Sequence, residues 1–313
     1  MLASERRHKH ELKTPDCQRA FIASFPGTLQ DETEHAVLAA KRAQAIPVIQ
    51  SQSAEGFRAD IDAYLYQFEE IGGLFGAGAW MLYREMRRQG VAVSMDGLGG
   101  DEALGGYTGQ IMLALIRNGG LACSPYRTLD LVNTLYYMQS AKQPERVRSR
   151  AILAALTMPI CRSVFPHHPF ARHLTNIKQR ELDHANEEAN RSEQEAIDAL
   201  GPLTGALYRG FHHYLLPRVL RNFDAHSMGH GVEVRLPFLD WRVVSYAFSV
   251  PETSKVGNGY SKRLLREAMR GILPEAIRLQ RHKIGYNAPV SHWLAGGLRD
   301  WLWERSTILI MRP

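Results

Sequence analysis

The acids Asp96, Asp101 and Glu102 stand among five glycines in VAVSMDGLGGDEALGGY, residues 91–107. A short apolar run (Val91, Val93, Met95) that breaks into clustered glycine reads as a buried strand ending in a tight turn. Glycine lets the backbone approach a ligand closely, and two adjacent acids can hold a divalent metal. In an open α/β sheet, ligands sit beyond the carboxyl ends of the strands, which is where this turn falls. Taken alone, the segment reads equally well as an acidic surface turn.

Two further stretches carry chemistry. In LLPRVLRNFDAHSMGHGVEVRLPFLD, residues 215–240, the charges Arg221, Asp224, Glu233, Arg235 and Asp240 lie among apolar residues. Buried charge is costly unless paired, so internal ion pairs bracing a loop are expected there. His226 and His230 are spaced for one helical face, but no carboxylate lies between them and no third ligand follows, so no zinc site is assigned. The adjacent pairs His167-His168 and His212-His213 face different ways and receive no metal either. In residues 261–289, Lys262 and Arg266 precede RHKIGYNAP, where Lys283 leads into a glycine-loosened turn that could point it into a cleft.

Those residues need elements to place them. Residues 19–25 (RAFIASF) read as a strand closed by Pro26-Gly27, and residues 46–49 as a second. Between them residues 31–45 open with acids and close with Lys41 and Arg42, the order that suits a helix dipole. Helical spacing recurs over residues 56–70 and 78–89, ahead of the strand at 91–95. Alternating strands and helices imply a parallel sheet with crossover helices. Beyond Tyr107, helical windows dominate at residues 110–118, 129–141, 145–156 and 207–223, with a charge-rich helix over 178–200. One domain is expected over residues 19–313, a parallel sheet followed by a helical lobe, after an unstructured polar lead-in at 1–18.

Composition limits the rest. Of 313 residues, 45% are hydrophobic and 22% charged, values of a globular protein with a sizeable core. No apolar run is long enough to span a membrane, and no apolar signal region opens the chain. Cys17, Cys123 and Cys161 form no CxxC, so neither a disulfide framework nor a zinc ribbon is expected and a reducing cytoplasm is the simplest home. A net charge of +6 suits anionic partners such as nucleotides. No nucleic-acid-binding motif or long basic block is present, so nucleic acid is not an expected partner.

Taken in order, GLGGDEALGGY, residues 215–240 and SKRLLREAMRGILPEAIRLQRHKIGYNAP resemble the synthetase domain of B-type, glutamine-dependent asparagine synthetases. That family includes relatives that close β-lactam or lasso-peptide rings. The resemblance covers residues 19–293. It implies an adenine-nucleotide hydrolase-like fold of the PP-loop type. It also implies an ATP-dependent, amide-forming reaction: a carboxylate such as aspartate is activated as an acyl-adenylate, pyrophosphate leaves, and ammonia displaces AMP. By resemblance Asp101, with Glu102 beside it, holds Mg²⁺ on the phosphates. Lys283 is the catalytic cation at the reacting phosphate and carboxylate, and Asp101 its catalytic partner. Asp96 and Gly97 form the turn beside the nucleotide, and the Ala23 main chain faces the adenine.

Three departures from the family pattern qualify the resemblance. The family's pyrophosphate loop, SGGxDS, is found nowhere in the sequence; Gly72-Gly73-Leu74 is the nearest string and lacks the Asp-Ser. The first strand and its loop are therefore expected to be missing. Three charge-assisted hydrogen bonds lost with that loop would cost on the order of 5 kcal/mol, several thousandfold in ATP affinity. Leu98 stands where the family has an acid proposed as a proton acceptor. Residue 2 is Leu2 rather than the cysteine of a glutaminase domain, so the nitrogen source is expected to be ammonia or a separate glutaminase chain. A ligase tailoring a peptide or polysaccharide precursor and a non-catalytic interaction module are the rival readings.

Overall fold

The computed structural model describes residues 18–68, 76–117, 124–139, 187–285 and 287–310. Strand β1 (Arg19–Ser24) pairs in parallel with β2 (Ile46–Ser51), in the register Arg19 to Ile46 through Ser24 to Ser51. Helix α1 (Thr33–Arg42) makes the crossover between them. Its first turn carries Glu34 and its last turn Lys41 and Arg42, so the dipole is complemented at both ends. Asp31 accepts from the Phe25 N–H at 3.2 Å and the Thr33 N–H at 3.3 Å, which fixes the turn from β1 into α1.

Where one helix is expected over residues 56–70, the chain forms two, α2 (Ala54–Arg58) and α3 (Ile61–Phe68). Ser53 caps the first by accepting from the Gly56 N–H at 3.2 Å. The second restarts at Asp60, whose carbonyl accepts from the Tyr64 N–H at 2.9 Å. Helix α4 (Ala77–Arg88) leads into β3 (Val93–Met95), shorter than the expected strand by two residues at its start. Helices α5 (Gly100–Leu104), α6 (Thr108–Arg117) and α7 (Pro125–Gln139) follow. The helical windows at 110–118 and 129–141 correspond to α6 and α7. The window at 145–156 and His167-His168 lie outside the described residues.

The helical lobe continues with α8 (Glu187–Leu200), α9 (Pro202–Arg209) and α10 (Leu216–Met228). A single π-turn, Gly210–Tyr214, separates α9 from α10 where a continuous helix is expected. Pro217, with no N–H to give, sits in the first turn of α10 and accounts for the restart. The sequence reading contains no strand after Tyr107, yet Glu233–Arg235 forms β4, parallel to β3, with Ser94 opposite Val234. Helices α11 (Trp241–Ser249), α12 (Arg263–Ala268) and α13 (Val290–Ala295) complete the parts that bear on the site.

The described strands thus make two separate two-stranded parallel sheets, β1-β2 and β3-β4, where one parallel sheet is expected. An aromatic cluster of Phe25, Phe57, Tyr64, Phe68, Trp80 and Trp293 fills the core beside β1. A second core, with Ile111, Leu131, Leu135, Leu203 and Leu207, joins α6, α7 and α9. Among the described residues no helix is long and apolar enough to cross a membrane.

Candidate active site

The turn after β3 seats Asp101 through its glycines. Gly99 adopts φ 93°, and a Cβ there would fall 2.3 Å from Leu239 Cδ2. Glu102, 1% exposed, accepts from the Gly99 N–H at 3.0 Å and from the Tyr107 hydroxyl at 2.8 Å. Both of its oxygens are therefore engaged, one at the start of α5 and the other with Tyr107 beyond its end. The Gly106 N–H donates to the Asp101 carbonyl at 2.8 Å. A Cβ on Gly106 would lie 1.6 Å from Asp101 Oδ1 and 2.8 Å from its Cα, so the second glycine pair makes room for the Asp101 carboxylate.

Two lysines from distant sequence close on that carboxylate. Lys262 Nζ lies 2.8 Å from Oδ1 and Lys283 Nζ 2.9 Å from Oδ2. Lys262 precedes α12 with left-handed backbone, φ 51° and ψ 36°. Lys283 is tied to α7 through its N–H, which donates to the Met138 carbonyl at 2.9 Å, and its ammonium stands 5.3 Å from the Tyr107 ring centre. Arg266 braces the segment between the lysines by donating to the carbonyls of Ser261 and Arg278, at 2.7 and 2.6 Å. The two lysine side chains and that of Asp101 keep about a quarter of their surface in solvent, 27%, 27% and 22%, so the cluster is reachable.

Electrostatics follow from this seating. Burial by itself would push the Asp101 carboxyl up, but the Lys262 and Lys283 ammonium groups together hold it below the ordinary carboxylate range. Glu32, at the start of α1, behaves oppositely. Burial raises it, and Lys283, His35 and Lys262 only partly offset that. The Tyr107 phenol is pushed up, first by burial and then by Glu102 and Asp101. A carboxylate pinned between two cations, with a second acid nearby that protonates more easily, is an environment prepared for added negative charge.

Of the residues singled out in the sequence, Asp101 and Lys283 are brought together. Asp96 follows β3, with Oδ1 accepting from the Ser94 hydroxyl at 2.5 Å and Oδ2 from the Tyr83 hydroxyl, while its N–H donates to the Arg235 carbonyl at 3.0 Å. Gly97 follows it in the loop, facing Phe238. Ala23 lies on β1, its side chain packed against the core around α4. Glu102 is adjacent in sequence to Asp101, but its carboxylate is taken by the Gly99 N–H and the Tyr107 hydroxyl. Lys262, Glu32 and Tyr107 carry no assigned role from sequence, although Lys262 stands in the third stretch singled out there.

One expectation about charged residues resolves differently from the sequence reading. Glu233 pairs with Arg235 at 2.9 Å and Asp240 with Arg242 at 2.7 Å, but both pairs stand at the surface and do not brace a buried loop. His226 is buried against Tyr64 and Phe68, and His230 packs edge-on to Trp80 at 4.1 Å, so both serve the aromatic core. Among the described residues no group of three or more His, Cys, Asp or Glu is placed to hold a metal ion. Asp101 is an acid of this turn whose carboxylate stays partly open to solvent. A separate cavity of about 240 Å³ opens at the carboxyl ends of β1 and β2, with Phe25, Ser53, Glu55, His292 and Trp293 in its walls.

Comparison with known proteins gives consistent results. Residues 2–306 match the family described as asparagine synthase. The chain is 27% identical over 219 residues to asparagine synthetase [glutamine-hydrolyzing] 1 of Bacillus subtilis, covering 68% of this chain and 33% of that protein. It is 25% identical over 290 residues to a putative asparagine synthetase [glutamine-hydrolyzing] of Mycobacterium bovis, covering 90% of this chain and 43% of the relative. A shorter stretch of 57 residues is 44% identical to asparagine synthetase [glutamine-hydrolyzing] of Mesocricetus auratus, covering 17% of this chain and 10% of that protein. The matched region thus spans less than half the length of these relatives.

Proposed function

The chain belongs to the asparagine synthase family, and we propose that its Asp101 cluster serves an ATP-dependent ligase that joins a carboxylate to ammonia. The observation that carries this reading is the pair of ammonium groups held on one carboxylate, Lys262 and Lys283 on Asp101. Making an acyl-adenylate brings a carboxylate such as that of aspartate against the α-phosphate of ATP, and the two repel. Lys283 places a fixed cation where those charges meet, and Lys262 a second for the departing pyrophosphate. Both are already oriented, so little reorganisation is needed as charge develops.

Asp101 positions the two lysines and is the acid offered to Mg²⁺. When bound with the phosphates, Mg²⁺ would supply further charge neutralisation. Glu102 keeps Asp101 at the head of α5, Asp96 and Gly97 shape the turn beside the nucleotide, and the Ala23 main chain takes the adenine side. Leu98 offers no proton acceptor, so ammonia must arrive neutral or lose its proton to solvent. Glu32, more easily protonated than an ordinary glutamate and within electrostatic reach of both lysines, could take that proton in place of solvent.

Release of pyrophosphate and AMP from Mg-ATP tests the proposal, with aspartate and ammonium as co-substrates and a panel of other carboxylates alongside. Turnover with aspartate is the expected result. Turnover only with a peptide or sugar acid would move the acceptor to the tailoring class, and absence of both products with every acceptor would overturn the ligase reading.

A further inference from the structure

Two ammonium groups drawn to one carboxylate also repel each other, so the segments that carry them need anchoring elsewhere. The backbone at Lys262 is itself left-handed, a conformation that a lysine does not choose unaided. A run of rings and guanidinium groups supplies the anchor. The Arg281 guanidinium carbon stands 4.3 Å from the centre of the Tyr137 ring and 4.5 Å from that of Tyr260. Tyr260 meets a second guanidinium, Arg266, at 5.6 Å. Tyr260 lies two residues before Lys262, and Arg281 two residues before Lys283. The contact between Arg281 and Tyr260 therefore ties together the two segments that carry the lysines.

Helix α7 is the base on which both segments rest. Arg127, Asp130 and Tyr137 recur at helical spacing, three and seven residues apart, which places them on one face. Arg127 donates to the Val256 carbonyl at 2.8 Å, and Asp130 accepts from the Asn258 N–H at 2.6 Å. Residues 257–260 form a tight turn, closed by Gly257 N–H to the Tyr260 carbonyl at 3.0 Å and Tyr260 N–H to the Gly257 carbonyl at 2.9 Å. Its central pair, Asn258 at φ 54° and Gly259 at φ 78°, is the Asn-Gly sequence that such turns favour. A Cβ on Gly259 would fall 2.8 Å from Tyr137 Cδ2 and 3.4 Å from Arg281 Nη1, so glycine lets the turn lie against both. The Lys283 segment is fastened to the same helix, by the Lys283 N–H on the Met138 carbonyl and by Arg281 on Tyr137.

We propose that Arg281 is a positioning residue for the Asp101 cluster, which through Tyr137 and Tyr260 fixes Lys262 and Lys283 at the spacing that lets both meet one carboxylate. A guanidinium suits the task. It is planar, always charged and stacks on aromatic rings, whereas an ammonium is a compact point charge without a flat face. Among the described residues no carboxylate pairs with Arg281, so this third cation is held by rings and does not compete for Asp101. The inference rests on the ligase reading for its catalytic consequence, since a lost spacing would part the two cations that acyl-adenylate formation needs. The positioning itself is read from contacts that owe nothing to that chemistry.

Competitive labelling of the full chain with limiting acetic anhydride reads the lysines without any turnover. At neutral pH, Lys262 and Lys283 should acetylate more slowly than the exposed Lys41 when their peptides are compared by mass spectrometry. Tyr260→Leu removes one ring without changing any charge and should speed labelling at both lysines about fivefold or more relative to Lys41. Tyr260→Phe keeps the ring and should leave both rates as in wild type. Arg281→Lys keeps the charge but loses the flat stack. It should act in the same direction as Tyr260→Leu, and it carries the test if that variant does not fold. Phe57→Leu loosens the separate aromatic core beside β1 and should leave both lysines slow. Faster labelling confined to Lys262 in Tyr260→Leu would show a ring that serves its own turn alone. Equal acceleration in Phe57→Leu would show a general loss of packing, and no acceleration in Tyr260→Leu would show that Asp101 suffices to hold the pair. Each of these three results overturns the proposal. Absence of pyrophosphate release by the wild-type chain would fail the ligase reading and leave the labelling pattern to decide this one.

Discussion

Asp101 and Lys283 lie 182 positions apart and meet at 2.9 Å. Lys262 takes the other oxygen of the same carboxylate, so neither cation can be removed without changing how the remaining one is held. Replacing Lys262 or Lys283 by Met should raise the Asp101 carboxyl from its depressed position, and replacing both should raise it further than either alone. Carboxyl-carbon NMR titration of the three variants reads this. An unmoved Asp101 in the double variant would mean that the ion pairs do not persist in solution.

Lys283→Met is expected to lower pyrophosphate release at least 100-fold, because the proposed reaction loses a fixed cation. Thermal unfolding should shift only slightly, since the side chain keeps 27% of its surface in solvent. Single-turnover assay beside calorimetry separates the two effects. Comparable rates in wild type and variant would remove Lys283 from the chemistry.

Gly106→Ala should cost about 2 kcal/mol or more, because its methyl would fall against the Asp101 Cα as well as the carboxylate. The damage should reach the site too, with the Asp101 titration moving toward the ordinary range as the carboxylate is displaced. Gly109→Ala, where a Cβ meets nothing within 4 Å, is the matched control and should be close to neutral. Urea unfolding of both variants gives the comparison.

His226 predicts a pH dependence of stability. Its imidazole is 2% exposed, bonded to Tyr64 at 3.1 Å, and held down to about 4 by burial, with His230 adding to the effect. His230 is itself lowered by burial and faces Asp60 and Arg84, which act on it in opposite directions. The folded state therefore refuses a proton that the unfolded chain accepts. Stabilisation is complete above about pH 6.5 and is lost as pH falls toward 4, by up to about 3 kcal/mol. Urea midpoints measured between pH 7 and 4.5 should fall, and His226→Gln should flatten that part of the profile. A flat wild-type profile would contradict the buried neutral imidazole.

Local signals in the sequence placed β1, β2, α1, α4, α6 and α7 nearly correctly, because each has its own periodicity, cap or turn residues. Asp101 and Lys283 were legible through neighbouring glycines. Glu233–Arg235 was not, since three residues flanked by charges show no alternation; β4 exists only because β3 lies beside it. The interruption between α9 and α10 hides in a sequence of helical period that one proline breaks. Lys262 was visible only as a cation in the same stretch as Lys283, and Glu32 only as one of several acids opening α1. Their roles arise from contacts made across the chain, which no window of residues contains.

The left-handed backbone at Lys262 sets stability against function at a single position. A lysine there bears a conformational penalty of about 1 kcal/mol or more that glycine would not. A chain selected only to withstand heat would therefore drift to glycine at that point and give up one of the two charges on Asp101. Heat-resistant descendants chosen without an activity screen should lose this lysine early, and those that keep it will have been held there by what the site does.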